Sequence, residues 1–328
     1  MMVRVALVLV IGAAVACGGQ QSPLNPAGPQ AHSIASLGWW FFAVCTAVYV
    51  VVIAALLWAL ARRRVAREVP HDALVMAVGT GVAMTAVVVV ALTIVSVAAG
   101  RGLDTPPDET SPDVDVIGHQ WWWEFQYTNK EQPDWFVNSP NELHLPVGVR
   151  VHIRAMSRDV IHSFWVPNLR GKRDLIPGTV SETWIEADRA GIYRGQCAEF
   201  CGEQHAKMAF LVVSEPMDAY RQWLSAQREA AADPSTDLAK RGREVFMSGP
   251  CVMCHTIRGT DAGATSAPEL THVASRRFIA AGTLPNTDDN LARWILDAQT
   301  IKPGTLMPPN ALSADDLKAV VAYIRTLR

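Results

Sequence analysis

Residues 197–208 read Cys197-Ala198-Glu199-Phe200-Cys201-Gly202-Glu203-Gln204-His205-Ala206-Lys207-Met208, and this stretch decides how the middle of the chain must fold. Two cysteines, a histidine and a methionine fall within 12 residues, between strand-like runs at 192–194 and 209–213. Thiolate, imidazole and thioether together form a soft donor set suited to copper, in which sulfur holds Cu(I) and imidazole tolerates Cu(II). A structural zinc site has no use for the methionine, and a blue-copper site takes a single cysteine. Two thiolates can bridge two ions, and each ion then needs its own histidine. His205 supplies one. The second is His162, in Asp159-Val160-Ile161-His162-Ser163-Phe164-Trp165-Val166-Pro167. The competing reading is a Cys197–Cys201 disulfide in an oxidising compartment, which leaves His162, His205 and Met208 without a role.

Around this loop the hydrophobic period is two. Val149, Val151, Ile153 and Ala155 alternate with Arg150, His152 and Arg154, the pattern of a half-buried strand. Val114/Val116, Leu143/Leu145 and residues 181–185, 192–194 and 209–213 are further short strands between turn residues, which suggests a β-sandwich or barrel. Three consecutive tryptophans, read as a strand, place Trp121 and Trp123 on one face and Trp122 on the other. His152 sits on the polar side of its strand. His32, His71, His144 and His272 have no metal-ligand spacing and read as solvated, and Cys45 reads as a small buried residue.

Upstream the chain is apolar. Residues 5–16 form a short apolar run behind Arg4, of the length of a signal-peptide core. Ala14-Val15-Ala16-Cys17 resembles a bacterial lipoprotein cleavage site, with Cys17 as the lipidated residue. Residues 39–60 and 73–99 are uncharged and long enough to span a bilayer. Arg62, Arg63, Arg64 and Arg67 between them assign their loop to the cytoplasm and residues 101–328 to the outer side. Glu68 and Asp72 lie where the second span begins, and the pattern around them assigns neither a role. A net charge of −2, with half the chain hydrophobic and 18% charged, excludes a disordered chain and a nucleic-acid partner.

Downstream, residues 219–232 are helical in pattern and Asp233-Pro234-Ser235 marks a boundary. Beyond it Cys251-Val252-Met253-Cys254-His255 is the attachment motif of a c-type haem. Two thiols three apart add across the vinyl groups, and His255 becomes the proximal iron ligand. Met307, in the proline-stiffened run Gly304-Thr305-Leu306-Met307-Pro308-Pro309, is the second axial ligand, a pairing that raises the haem potential. Met247 is a weaker candidate and Met253 is poorly placed. A thioredoxin-like redox pair and half of a zinc site are the competing readings of the two cysteines.

The chain resembles subunit II of a cytochrome c oxidase of the caa3 type. The resemblance rests on Gly118-His119-Gln120-Trp121-Trp122-Trp123, Val160-Ile161-His162-Ser163-Phe164, Gly171-Lys172-Arg173-Asp174-Leu175-Ile176-Pro177-Gly178, the 197–208 run, the helix pair and a class I cytochrome c pattern over 237–328. It implies a multidomain membrane protein: a two-helix transmembrane hairpin, an all-β cupredoxin-like Greek-key sandwich and an all-α cytochrome c domain. The expected divisions are a signal peptide at 1–16, the hairpin region at 17–110, the sandwich at 111–217, a helix and linker at 218–236, and the haem domain at 237–328. The resemblance assigns His162, Cys197, Cys201, His205 and Met208 as side-chain ligands of a binuclear CuA centre. The Glu199 carbonyl completes the set, and the Glu199 carboxylate reaches a magnesium ion at the boundary with subunit I. It makes Trp121 the surface residue where electrons arrive, with the haem domain docking there transiently on its linker. Pro268 takes the position whose carbonyl fixes the proximal histidine.

The partners so implied are oxidase subunit I, other membrane subunits, and a donor such as a cytochrome c or a quinol-oxidising complex. The place implied is the bacterial cytoplasmic membrane, crossed twice, with both redox domains on the outer face. Electrons would run from haem c to CuA to haem in subunit I, where oxygen is reduced and protons are pumped. The CuA subunit of a nitric oxide reductase and a tethered electron shuttle without a catalytic partner are the alternatives.

Overall fold

The computed structural model describes residues 19, 21–62, 70–103, 113–129 and 132–328. Cys17, the run before it, Arg63, Arg64, Arg67 and Glu68 lie outside the described residues. Two helices come first, α1 (Pro29–Ala61) and α2 (His71–Leu103). Both are long and apolar enough to cross a membrane, with mean hydropathy of 2.5 and 2.6 over their best windows. Within α2 the hydroxyls of Thr85 and Thr93 donate to the carbonyls of Gly81 and Val89 at 2.9 and 2.8 Å. Those polar groups are therefore satisfied inside the helix, as a hydrocarbon environment would require.

Ten strands build two five-stranded sheets. They are β1 (Asp113–His119), β2 (Trp122–Asn129), β3 (Gln132–Pro140), β4 (Glu142–Pro146), β5 (Val151–Ser157), β6 (His162–Trp165), β7 (Arg173–Leu175), β8 (Ser181–Ile185), β9 (Gly191–Cys197) and β10 (Ala209–Glu215). One sheet runs β3-β2-β1-β5-β8 and the other β4-β10-β9-β6-β7. β1 pairs with β5, and β4 with β10, in parallel; the remaining pairs are antiparallel. The alternation in β5 turns Val151, Ile153 and Ala155 into the core, and the strand starts only after the left-handed turn at Gly148. The core between the sheets is aromatic: Trp123, Phe125, Tyr127, Phe164 and Phe210 are all buried. Asp113 and Asp115 of β1 are buried too. They are held by His152 Nδ1 at 2.8 Å and by a two-pronged Arg154 contact at 2.6 and 2.8 Å, the pairing that a buried carboxylate needs.

Residues preceding α1 are strapped to this sandwich. The Asn168 side-chain amide donates toward the carbonyls of Gly19, Ser22 and Asn25 at 3.1, 3.0 and 2.9 Å. Ala27 N donates to Asn168 O at 2.7 Å, and Asp188 N to Ala27 O at 2.8 Å.

After β10, helix α3 (Met217–Ala226) lays Trp223 flat on the His144 ring, 3.8 Å between centroids. The final domain holds α4 (Asp237–Ser248), α5 (Asp288–Leu296) and α6 (Ala314–Ile324). Thr236, Thr287 and Ser313 cap them, each side chain accepting from a first-turn amide, with aspartates following in the first turn. Capping and acid placement both favour the helix N-terminus. Phe246 of α4 meets Tyr323 of α6 edge-on at 5.9 Å in a core that includes Ile257, Leu291, Ile295 and Val320.

Three expectations are corrected here. Trp121 is not on a strand: with Gln120 it forms the turn between β1 and β2. His144 and His272 are buried rather than solvated, because each has an internal partner, Glu215 Oε1 at 2.9 Å and Glu229 O at 3.1 Å. Finally, the haem domain does not merely hang from its linker. Its loops are hydrogen-bonded to the sandwich, as described below.

Candidate metal centre and haem site

β9 ends at Cys197 and β10 starts at Ala209, so residues 198–208 are the loop that joins two neighbouring strands. Its base is closed by Cys197 N donating to Met208 O at 2.9 Å, and Ala198 N donates to Ser163 O of β6 at 2.9 Å. His162, the first residue of β6, is thereby set beside the loop. Cys197 Sγ and Cys201 Sγ stand 3.7 Å apart as free thiols. His162 Nδ1 is 3.8 Å from Cys197 Sγ, and His205 Nδ1 is 3.6 Å from Cys201 Sγ. Met208 Sδ lies 3.8 Å from Cys201 Sγ, and the Glu199 carbonyl 3.1 Å from Cys197 Sγ.

All six sequence-predicted donors therefore converge. With metal–sulfur bonds of about 2.3 Å, two sulfurs at this spacing can both reach one ion. Each sulfur also has its own imidazole, so the residues fit a two-ion copper site. The hydrogen bond shared by the sulfurs divides their protonation. It pulls Cys197 down to about 3 and holds Cys201 above the usual thiol range, so one thiolate is ready for metal.

Supporting contacts fix these donors. His162 Nε2 is 2.7 Å from Asp159 Oδ1, and Asp159 Oδ2 accepts from Gln120 N at 2.7 Å. Burial opposes the Asp159 charge, but the bonds from His162, Val160 and Gln120 outweigh it and lower its pKa. A carboxylate behind a ligating histidine orients the ring. Gly118 is required by the same ring: a Cβ there would lie 2.7 Å from His162 Cδ2. Trp121 Nε1 and Gln120 Nε2 both donate to Cys201 O, at 2.9 and 2.8 Å. Glu199 keeps its carboxylate at the surface, 3.8 Å from Lys172 Nζ.

In the helical domain Cys251 and Cys254 bracket a single tight turn, half-buried and free. His255 Nδ1 lies 2.7 Å from Pro268 O, the contact expected there, which leaves Nε2 for an iron. Burial holds this imidazole below its ordinary pKa, in the neutral form that ligates. Met307 sits on the loop before α6. Gln299 braces that loop, its Nε2 donating to Thr305 O at 2.6 Å and Met307 O at 2.8 Å while its Oε1 accepts from Gly304 N at 2.9 Å. Met247 packs against the helical core and Met253 is exposed. Two thiols, a fixed neutral imidazole and a braced methionine loop fit covalent haem.

The two regions touch. Ala209 N donates to Ala281 O at 3.0 Å, Gln204 Nε2 to Pro303 O at 2.8 Å, and Arg277 N to Glu142 Oε1 at 2.7 Å. Lys207 Nζ donates to Ile301 O. Lys302 Nζ donates to Trp121 O at 2.8 Å, with Ala280 O at 3.5 Å. Trp121 is thus covered, only 9% exposed, rather than lying open at the surface.

Sequence reading missed Asp159, Gln299 and Lys302. An acid three residues before a ligating histidine was a usable signal for the first. Gln299 and Lys302 act on main-chain carbonyls, which residue types do not reveal.

A thiolate loop suited to copper on a β-sandwich, packed against a helical domain with a haem-attachment motif, is the build of a two-centre redox protein. The family pattern described as "Cytochrome C oxidase subunit II, periplasmic domain" matches residues 135–215, and that described as "Cytochrome c" matches residues 239–328. The cytochrome c oxidase subunit 2 of Alkalihalophilus pseudofirmus is 35% identical over 327 residues, 95% of this chain and 93% of its own length. That of Bacillus sp. (strain PS3) is 31% identical over 237 residues, 69% of this chain and 65% of its own. Among solved structures, the periplasmic domain of subunit II of cytochrome oxidase from Bradyrhizobium japonicum is similar at TM-score 0.34 and 26% identity, over 38% of this chain and 96% of its own. The chain belongs to the cytochrome c oxidase subunit II family, in the caa3-type form that carries a cytochrome c domain. Its two domains imply a CuA copper centre and haem c, and its family implies a subunit I partner.

Proposed function

We propose that electrons from an external donor, such as a cytochrome c or a quinol-oxidising complex, enter this chain at haem c. From there they pass to CuA and on to haem in subunit I, where oxygen is reduced to water and protons are pumped. Bound haem and copper supply the one-electron couples; the chain's residues hold and connect them. Cys251 and Cys254 would hold the haem covalently, and His255 and Met307 would supply the donors to its iron. His162, Cys197, Cys201, His205, Met208 and the Glu199 carbonyl hold copper. Burial of His162, Cys197, Cys201 and Met208 excludes water and limits rearrangement when charge changes. Trp121 would mark the point of electron entry, its indole bond to the Cys201 carbonyl linking the haem side to the copper loop without the ring itself being reduced. The exposed Glu199 carboxylate, which stands beside Lys172, would meet magnesium at the subunit I boundary. The helices α1 and α2 cross the bacterial cytoplasmic membrane with the redox domains outside, as the arginine-rich loop directs. The division into signal (1–16), hairpin (17–110), sandwich (111–217), linker (218–236) and haem domain (237–328) follows the same reading.

The observation that carries this reading is the contact of the Met307-bearing loop with the Trp121 turn, directly over the thiolate loop. In the purified complex, flash reduction of haem c should be followed by reduction at the CuA band, and the complex should consume oxygen in preference to nitric oxide. Haem that reduces with no later change at CuA would overturn the route. Preferential nitric oxide consumption would assign the chain to a reductase instead.

A further inference from the structure

Lys302 is a buried lysine on the contact surface between the two redox domains. Lys302 is only 2% exposed, and among the described residues its ammonium makes no ion pair with a carboxylate. It donates instead to carbonyl oxygens on both sides of the interface, Trp121 O in the sandwich and Ala280 O in its own domain. A buried amine is costly unless its bonds are well aimed, and here the surroundings are shaped to aim them. Ala280 and Ala281 both adopt left-handed backbone, φ 53° and 54°, which alanine adopts only at a cost. Their carbonyls are the acceptors for Lys302 and for Ala209 N. Gly304, at φ +80°, takes the left-handed backbone that favours glycine and lies against the Trp121 ring, to which a Cβ would stand at 3.6 Å.

Lys302 is also tied to the haem side. Its carbonyl accepts from Thr305 N at 3.2 Å, within the loop that Gln299 fixes at Met307. On the other side Trp121 bonds the Cys201 carbonyl. A short bonded chain therefore runs from the Met307 loop through Lys302 and Trp121 to the thiolate loop.

We propose that Lys302 is the positioning residue that holds the haem domain in register over Trp121, so that its bond to the Trp121 carbonyl sets the geometry of electron transfer into the copper loop. This rests on the haem-to-CuA route proposed above, but the docking itself can be read without electron flow. The assembled complex would be compared with Lys302→Met and Lys302→Gln variants, after checking that haem and copper content and both potentials are unchanged. Hydrogen exchange at Ala209 N and Arg277 N, whose acceptors lie across the interface, reports the docked population. Loss of a buried hydrogen bond that leaves the Trp121 carbonyl unpaired should cut protection there by about ten- to a hundredfold in Lys302→Met. Lys302→Gln, which keeps an N–H donor, should lose less. Haem-to-CuA transfer should slow in the same order.

Unchanged protection in Lys302→Met, or lost protection with an unchanged transfer rate, overturns the proposal. So does reductive methylation of wild-type Lys302 as rapid as that of exposed Lys240, a measurement that needs no variant. A wild-type complex with protected amides and no haem-to-CuA transfer would instead refute the route and leave the docking intact.

Discussion

Gly118→Ala should empty the copper site without unfolding the sandwich. The glycine lies on β1, and its backbone is not in the left-handed region, so alanine suits its conformation. The difficulty is the His162 ring, whose Cδ2, Cγ and Cβ would stand 2.7, 3.0 and 3.2 Å from the new methyl carbon. Restoring an ordinary 3.4 Å contact means moving the ring by about 0.7 Å, against a tolerance of about 0.2 Å for metal–ligand distances. The ring cannot slide freely, because Asp159 holds Nε2 at 2.7 Å and Trp123 packs edge-on at 6.2 Å between centroids. Overpacking of this kind costs about 1–3 kcal/mol, partly offset by the ~0.4–1 kcal/mol that alanine gains by restricting the unfolded chain. A folded domain should survive that. The assay is the copper-to-haem ratio of the purified full chain, with the near-infrared CuA band and calorimetry alongside. Covalent haem, bound far from the mutation in sequence, serves as the internal standard. A normal ratio and band would refute the argument that ring position, set by a glycine on a neighbouring strand, governs copper binding.

Met307→Ala should keep haem covalently attached and lower its reduction potential, since attachment depends on Cys251 and Cys254; an unchanged potential in a redox titration would point to another axial ligand such as Met247. Trp121→Gln should leave copper, haem and assembly intact while slowing haem-to-CuA transfer by orders of magnitude, and an unchanged flash-reduction rate would show another route. Burial opposes the charge on His144, but Glu215 and Glu142, at 2.9 and 3.8 Å, outweigh it and raise its pKa above 6.5. Its protonated form therefore stabilises the fold below about pH 6.5, and that contribution is lost as pH rises through the raised value. The unfolding temperature should fall over that window, His144→Gln should flatten the slope, and parallel curves for the two proteins would reject the assignment. Intact mass should show a mature chain beginning at a lipidated Cys17; an unlipidated chain beginning at Met1 would reject it.

What could be read from sequence was what is local. The candidate copper donors Cys197, Cys201, His205 and Met208 fall within 12 residues, and Cys251 and Cys254 sit beside His255, so spacing alone singled out both groups. Strands 181–185 and 209–213 were visible because β-branched and apolar residues cluster between turns. β6 and β7 have four and three residues, too few to display a period. Trp121 was misplaced because a tryptophan run has strand character even where the chain turns. His144 and His272 were assigned to solvent because their partners lie 71 and 43 residues away. The interface between the redox domains was illegible for a different reason. Its acceptors at Trp121, Ala280, Ala281, Ile301 and Pro303 are main-chain carbonyls, which every residue has.

The Asn168 clasp has a consequence for the order in which the molecule is made. The carbonyls it gathers, from Gly19 to Asn25, precede it by 149 to 143 residues. At about 5–20 residues per second of synthesis, the first segment waits roughly 7–30 s before its anchor exists. During that interval α1, α2 and the first six strands, β1 to β6, are made. The leading segment therefore cannot lock onto the sandwich until residues 166–170 have been made and folded, which leaves it open to processing enzymes for that interval.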